Sequence, residues 1–139
     1  EVLELKQASE HRAIEKCIDK NNVQGMYYPL LYGADPNRRN EDKELLLERA
    51  IKQLRVEHTG FLLWFKANRE ELTSEGKSLL DLAREVRARA EGEKEQMAAD
   101  AIVDLIEKPG SEKYLRAAYD CYLEKQQVVD EQRRQRLWG

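Results

Sequence analysis

Residues 30–50 read LLYGADPNRRNEDKELLLERA, and their pattern decides the expected fold. An apolar helix end runs into Gly33, which can adopt the left-handed backbone conformation that ends a helix. Pro36 fixes its own φ and disfavours a helical conformation for Asp35. The three leucines at positions 45–47 then begin a second apolar segment. The stretch therefore predicts a helix, a tight polar turn and another helix.

A constant spacing, the 33-residue separation of Ala50 from Ala83, connects this stretch with the segments on either side. Counting back from Ala50 by the same spacing gives Cys17, another small residue. Without a gap, it also relates Ile14 to Leu47 and Leu80, Ala34 to Ala67, and Asp35 to Asn68. Because a fixed period of this length is typical of repeat proteins, it predicts helix pairs that stack on one another.

The sequence also resembles the ankyrin-repeat family at about residues 9–85. Its turn, GADPN at residues 33–37, is similar to the turn between ankyrin repeats, and the 33-residue period is also that of the family. The segment EGKSLLDLA at residues 75–83 resembles the start of a repeat, Gly-x-Thr-x-Leu-x-Leu-Ala. The departures are Lys16 and Arg49, where the family has an apolar residue, Lys66 in place of the turn glycine, and Lys43 in place of the glycine found at Gly76. The resemblance implies stacked helix pairs that bind a protein partner without enzymatic activity.

We therefore expect one all-α domain over residues 1–139. Ankyrin-like repeats at residues 9–85 would be capped by long C-terminal helices at residues 86–139. The alternative is an irregular helical bundle whose short helices share a spacing by chance.

Hydrophobic periodicity and capping residues predict the positions of the helices. The predicted helices cover about residues 1–20, 23–32, 41–55 and 56–70, one that begins at Thr73 or Ser74, and a last one from Ser111 to about 129. Pro29 falls inside the second helix, so we expect that helix to be short or kinked. Its expected core contacts are Met26, Tyr28, Leu30 and Leu31. After Ser78 only Gly92 interrupts the helical pattern before Pro109, so one long helix and two helices that meet near residues 91–95 both remain open.

The composition limits the classes of function. The chain has 139 residues, a mass of 16.3 kDa and a net charge of −3, so no strong basic field attracts it to nucleic acid or to a membrane surface. Its two cysteines, Cys17 and Cys121, are too few for a disulfide scaffold and fit a reducing compartment. An intracellular location, cytoplasmic or nuclear, is therefore expected. No apolar run approaches the roughly 20 residues that span a bilayer, and neither nucleic acid nor a membrane is an expected partner.

Motifs that carry chemistry are missing from the sequence. There is no Gly-x-Gly-x-x-Gly and no phosphate-binding loop, because Gly76, Lys77 and Ser78 lack the upstream glycine. His11 and His58 are the only histidines, and neither they nor the cysteines have zinc-binding spacing. We therefore expect no enzymatic activity, no cofactor, no metal and no small-molecule substrate.

The resemblance places the partner-binding surface on the projecting turns, residues 35–41 and 68–74, and on exposed positions of the inner helices. Arg38 and Arg39 are the expected anchors, since arginine is enriched at binding hot spots and both lie at a turn tip. Replacing both with alanine is predicted to weaken partner binding without unfolding the domain. The expected exposed residues of the inner helices are Glu48, Lys52, Asp81 and Arg84. The complete set of predicted partner-binding residues is Asp35, Arg38, Arg39, Asn40, Glu48, Lys52, Trp64, Phe65, Arg69, Asp81 and Arg84.

The aromatic pair Trp64 and Phe65 needs a covering partner. In the proposed register Leu62 and Leu63 point inward, whereas Trp64 and Phe65 are turned toward the outer side. Because large exposed apolar patches are rare on monomers, either the C-terminal helix covers the pair or a protein partner does. A helical assembly domain that self-associates through this pair and the final amphipathic helix is the alternative function. The chain is accordingly expected to be a monomer or a weak homodimer.

Overall fold

The computed structural model describes residues 2–113, 127 and 131–137, with side chains from residue 5 onward. The helices are α1 (Val2–Asp19), α2 (Val23–Leu31), α3 (Leu46–Lys52), α4 (Val56–Trp64), α5 (Leu79–Arg89) and α6 (Gly92–Glu107). Residues 131–137 are helical as well. Over the described residues the chain contains no β-strand, so the predicted all-α fold is confirmed there. Most of the predicted helix from Ser111 to 129 lies outside these residues.

Local capping signals fix where two of the helices begin. The Asn22 side chain accepts a hydrogen bond of 3.0 Å from the backbone N–H of Gly25 and caps the start of α2. Ser78 caps α5 in the same way, by accepting from the N–H of Asp81. The prediction that Thr73 or Ser74 caps this helix is wrong, because the Thr73 hydroxyl accepts hydrogen bonds inside the preceding turn instead.

Both α3 and α4 are shorter than predicted. α3 begins at Leu46 rather than near residue 41, because residues 39–45 form a turn closed by an antiparallel bridge. α4 ends at Trp64 rather than near residue 70, since Lys66 has a left-handed backbone with a φ of +74°. Backbone bridges and a left-handed residue, rather than the apolar pattern, therefore set the length of these helices.

The structure also decides the expectations for α2 and for the segment that follows Ser78. α2 has nine residues and contains Pro29. The long segment that follows Ser78 forms two helices, which are separated by Ala90 and Glu91. The expected boundary at residue 85 between the repeats and the C-terminal extension falls within α5.

The six helices form two layers. α1, α3 and α5 contact one another in order and form the inner layer, whereas α2, α4 and α6 form the outer layer. The two helices of each consecutive pair also pack together. Leu62 and Leu63 are buried between the layers, which confirms their predicted inward direction. The other main core residues are Ile14, Ile18, Met26, Leu30, Leu47, Ala50, Ile51, Phe61, Leu79, Ala83 and Ile102.

On α2 the expected core contacts are only partly correct. Met26 and Leu30 are buried, but Tyr28 and Leu31 are exposed, so the prediction is wrong for these two residues. Tyr27 is buried instead. The reason is helical geometry, because Met26, Tyr27 and Leu30 lie on one face of the helix and Tyr28 and Leu31 point away from it.

The 33-residue spacing is present in the backbone as well as in the sequence. Residues with a left-handed backbone occur in pairs at this spacing: Asn21 and Leu54, Gly33 and Lys66, and Lys43 and Gly76. α4 begins and ends 33 residues after α2, and α5 begins 33 residues after α3. Lys43 and Lys66 therefore adopt the conformation that a glycine adopts at the position 33 residues away, Gly76 and Gly33.

The two turns that precede α3 and α5 share their hydrogen bonds. In the first turn, residues 33–45, the Asn40 side chain accepts from the N–H groups of Asp42 and Glu44, each at 2.9 Å. In the second turn, residues 66–78, the Thr73 hydroxyl accepts from the N–H groups at the two equivalent positions. The isolated bridges Arg39–Leu45 and Leu72–Ser78 close the two turns at equivalent positions. Different side chains thus support one backbone path.

Candidate functional site

The first candidate surface is a groove between the end of α3, the second turn, α5 and the start of α6. It has a volume of about 770 Å³. Its apolar residues include Leu54, Leu82 and Val86, and charged residues such as Lys52 and Arg89 also line it. Protein interfaces commonly combine an apolar centre with a polar rim. We call this surface the inner groove.

Three of the four residues predicted to be exposed on the inner helices are exposed. Lys52 lines the inner groove, with 41% of its side chain exposed. Asp81 and Arg84 are exposed on α5, the next inner helix. These residues can therefore reach a partner.

The fourth residue, Glu48, is fully buried, so the expectation that it is exposed is wrong. Its carboxylate accepts hydrogen bonds from the backbone N–H and the hydroxyl of Ser74, at 2.9 and 2.8 Å, and from Lys52 Nζ at 3.1 Å. Burial by itself raises the pKa of Glu48, but these hydrogen bonds outweigh it and hold the pKa below its ordinary value. The second turn folds over α3 and removes Glu48 from the surface.

Most of the predicted residues of the first turn stabilise the turn itself. The Asp35 carboxylate accepts from the backbone N–H of Asn37 at 2.9 Å. Arg39 donates to the carbonyls of Lys43 and Leu72, at 2.8 and 2.7 Å, and pairs with the carboxylate of Glu71 at 3.0 Å. Arg39 therefore holds the first turn closed and connects it to the second turn. A partner that bound Arg39 would have to share the guanidinium with these structural contacts.

Asn40 and Arg38 lie beside a second cavity, between α1 and the first turn, which we call the first-turn cavity. Its volume is about 430 Å³. The Asn40 amide donates to the Glu15 carboxylate of α1 at 2.9 Å. Arg38 Nη1 is buried and has no hydrogen-bond partner among the described residues, and the same holds for both ring nitrogens of His11. No signal in the sequence pointed to His11, since a lone histidine on a helix has no motif around it.

Arg49 explains one departure from the family pattern. It forms two hydrogen bonds with the Asp19 carboxylate, at 2.8 and 2.7 Å, and also pairs with Glu15 and Glu44. Arg49 lowers the pKa of Asp19 to about 2, and these acidic partners raise the pKa of Arg49. Three carboxylates therefore surround the arginine at a position where the ankyrin-like pattern predicts an apolar residue.

The predicted residues of the outer layer link α4 and the second turn to neighbouring helices. Trp64 and Phe65 are both half-buried, and the Phe65 ring packs edge-on against Tyr27 at a centroid distance of 5.8 Å. Arg69 pairs with Glu112 and attaches the end of α6 to the second turn. The C-terminal helix proposed to cover the aromatic pair lies largely outside the described residues.

The groups with nucleophilic or metal-binding chemistry have structural surroundings. Burial raises the pKa of the free Cys17 thiol, which is the opposite of what activates a nucleophilic cysteine. His58 is fully buried beside the backbone of Asn22 and Cys17, and burial lowers its pKa. In the part of the chain that the structure describes, no group of three or more histidine, cysteine or acidic residues is placed to hold a metal ion.

No helix in the described part of the chain is long and apolar enough to cross a membrane.

Comparison with known proteins does not assign a family. No protein-family model matches the sequence, and neither the curated proteins nor the solved structures compared with it gave a significant match.

Proposed function

We propose that the chain is an intracellular, non-enzymatic module of ankyrin-like stacked helix pairs that binds a protein partner. The observation that carries this proposal is the repetition of one turn, with its left-handed residues and its hydrogen bonds, in the 33-residue register. A repeated unit of this kind stacks side by side, so the inner helices form one continuous surface. An irregular helical bundle would not require this repetition.

The inner groove is the part of that surface that suits a partner best. Leu82 and Val86 at its base are nearly fully buried, so the surface that a partner would meet is mainly charged and of both signs, with Lys52, Arg89, Glu85 and Glu95 in its lining. Mixed charge favours recognition of a specific complementary segment over general attraction to a polyanion. Arg84, which is exposed on α5, extends this surface and is the best anchor among the predicted arginines.

This assignment changes the test that the sequence suggested. Replacing Arg38 and Arg39 together would remove the hydrogen bonds from Arg39 to two carbonyls and would confuse binding with stability. Charge reversal of Arg84 and Arg89 avoids the problem because both side chains are exposed. Arg89 lines the groove, and Arg84 lies outside its lining on the same helix. The matched control reverses Lys20 and Lys108, which are exposed and lie outside the groove.

The experiment has two steps. A photo-crosslinking amino acid at position 84, compared with the same amino acid at position 108, identifies a protein that contacts the inner layer in a cell extract. The affinity of that protein is then measured for Arg84→Glu/Arg89→Glu and for Lys20→Glu/Lys108→Glu. We expect at least about a tenfold loss for the first variant, as for a hot-spot residue, and little change for the control. Equal crosslinking at both positions, or equal affinities of the two variants, would refute the proposal.

Self-association through the outer layer is the second candidate. Leu31 and Tyr32 are exposed at the end of α2, and in the 33-residue register they are the equivalents of Trp64 and Phe65. An apolar edge that repeats in this way could pair two copies of the chain. Sedimentation over a hundredfold range of concentration decides between the candidates: a mass that doubles favours assembly, and a constant monomer mass favours the partner-binding module.

A further inference from the structure

The first-turn cavity contains buried donors that the protein does not use. His11 is 6% exposed, and neither of its ring nitrogens has a hydrogen-bond partner among the described residues. Arg38 Nη1 is buried and unpartnered in the same sense, and both residues line the cavity. A buried donor without an acceptor has lost its hydrogen bonds to water and gained none in return. A group that accepts hydrogen bonds at this place would supply the partner that these donors lack within the part of the chain that the structure describes.

Two further arginines and the Glu15 carboxylate of the cavity are already paired, whereas the Glu41 and Asp42 carboxylates form no ion pair among the described residues. Arg39 is held by the second turn, and Arg49 is held by Asp19, Glu44 and Glu15. The Glu15 carboxylate, which is 4.0 Å from His11 Nε2, also accepts from Asn40. Arg12 is exposed and completes the wall on α1. The donors that remain for a ligand are therefore His11, Arg38 and Arg12.

Two unpaired arginines favour an anion in the cavity. Arg39 and Arg49 are paired with carboxylates, whereas Arg38 and Arg12 form no ion pair in the described part of the chain. Arginine forms paired, charge-assisted hydrogen bonds with planar carboxylates and with phosphates. A cation would meet Arg38 and Arg12, and an apolar group would leave the buried donors unpaired.

We propose that the first-turn cavity is an oxyanion-binding site in which Arg38, His11 and Arg12 hold a carboxylate from an acidic side chain of the protein partner. The source of the carboxylate rests on the proposed function, whereas the anion site itself does not. The cavity opens beside residues 38–42 of the first turn, a segment already expected to face a partner. A free phosphate would use the same donors, and the experiment separates the two sources.

The two histidines make the test direct, because His58 serves as an internal reference. Burial lowers the pKa of both imidazoles. His11 faces Glu15 on its own helix, Asp35 and Arg38 in the first turn and Arg49 on α3, and His58 lines none of the cavities described above. An anion bound in the cavity should raise the pKa of His11 and leave that of His58 unchanged.

The experiment follows the histidine side-chain resonances of the full chain by NMR during titration with inorganic phosphate or with a capped triglutamate peptide. We expect saturable shifts of His11 with the peptide, a higher pKa of His11 at saturation, and about tenfold weaker binding in Arg38→Gln. Lys108→Gln, which removes one exposed positive charge outside the linings of both cavities, is the matched control and should bind the peptide as the wild type does. Arg12→Gln, at an exposed position, provides a second variant if Arg38→Gln does not fold.

Each outcome is decisive. No shift of His11 with either probe, or shifts that both Arg38→Gln and Arg12→Gln retain, would overturn the anion site. Shifts with phosphate alone would overturn the assignment to an acidic side chain. A partner that depends on Arg84 and Arg89 but not on Arg38 would support the proposed function and contradict this inference, so the two can fail separately.

Discussion

The first and second turns follow the same backbone path, but they cover the inner helices to different degrees. In each case a residue of the turn donates to a glutamate on the preceding inner helix: Asn40 to Glu15 on α1, and Ser74 to Glu48 on α3. Glu15 and Glu48 occupy equivalent positions in the 33-residue register. The Glu48 side chain is fully buried, whereas the Glu15 side chain is 14% exposed beside the first-turn cavity.

The difference teaches that the turn packed against an inner helix decides which residues of that helix are exposed. Asp81 is the next position in this series and lies on α5. Over the described residues, no third turn of this kind follows α5, and Asp81 is exposed. Equivalent acidic residues thus serve as a buried acceptor in one repeat and as a surface residue in the next.

The largest effect is expected from Glu48→Gln. The substitution keeps the shape but removes the charge that accepts from Ser74 and Lys52, so we expect a loss of about 2 kcal/mol in the free energy of unfolding. The matched variant Asp81→Asn should change it by less than about 0.5 kcal/mol. Urea unfolding at pH 7 measures both, and equal losses would contradict the role of the second turn.

The same pair of variants has a signature in acid. Because the pKa of Glu48 is lowered in the folded state, its carboxylate stabilises the fold above the pKa of the unfolded chain. This contribution is lost as the pH falls through the folded-state pKa of Glu48. The penalty of Glu48→Gln should therefore shrink in acid, and a penalty that is independent of pH would indicate a loss of packing instead.

An intermediate effect is expected from Arg39→Ala, which removes one connection between the two turns and leaves the hydrogen bonds of Asn37 with Lys66 and Asn68. Its hydrogen bonds to the carbonyls of Lys43 and Leu72 are partly exposed, so we expect a loss of about 1–2 kcal/mol. Amide hydrogen exchange should also become faster at Gly76, whose N–H bonds to Thr73 within the second turn. Arg84→Ala, at an exposed position on α5, is the control and should leave both quantities unchanged. If Arg39→Ala is neutral in stability and exchange, the Asn37 contacts and the hydrogen bonds within each turn suffice to hold the turns without Arg39.

The smallest effect is a gain, from Lys66→Gly. Lys66 occupies the left-handed conformation that Gly33 occupies in the first turn. Relief of this strain should raise the free energy of unfolding by about 0.5–1 kcal/mol. The reverse change, Gly33→Lys, should lower it by a similar amount, because space is open around Gly33 and only its backbone conformation opposes a side chain. A thermal melt of both variants checks the comparison, and a destabilised Lys66→Gly would show that the Lys66 side chain makes a contact of its own.

Much of the fold could be predicted from local features of the sequence. The apolar pattern located every described helix of the two layers, and the 33-residue register matched Gly33 with position 66 and Gly76 with position 43. It also gave the inward direction of Leu62 and Leu63. Helix ends were less accurate, because a polar turn with helix-forming residues, such as residues 39–45, carries no local signal for the bridge that closes it.

The candidate site depended on contacts that no local pattern contains. Glu48 is buried by Ser74, which lies in the following turn, and Arg39 is engaged by Leu72 of the next repeat. The unpartnered donors of His11 and Arg38 meet only because α1 packs beside the first turn. Periodicity and turn chemistry, which act over a few residues, determined the helices and their repetition from the sequence alone. The tertiary structure decided which polar residues are buried, paired or available, since burial and pairing depend on neighbours brought together by stacking.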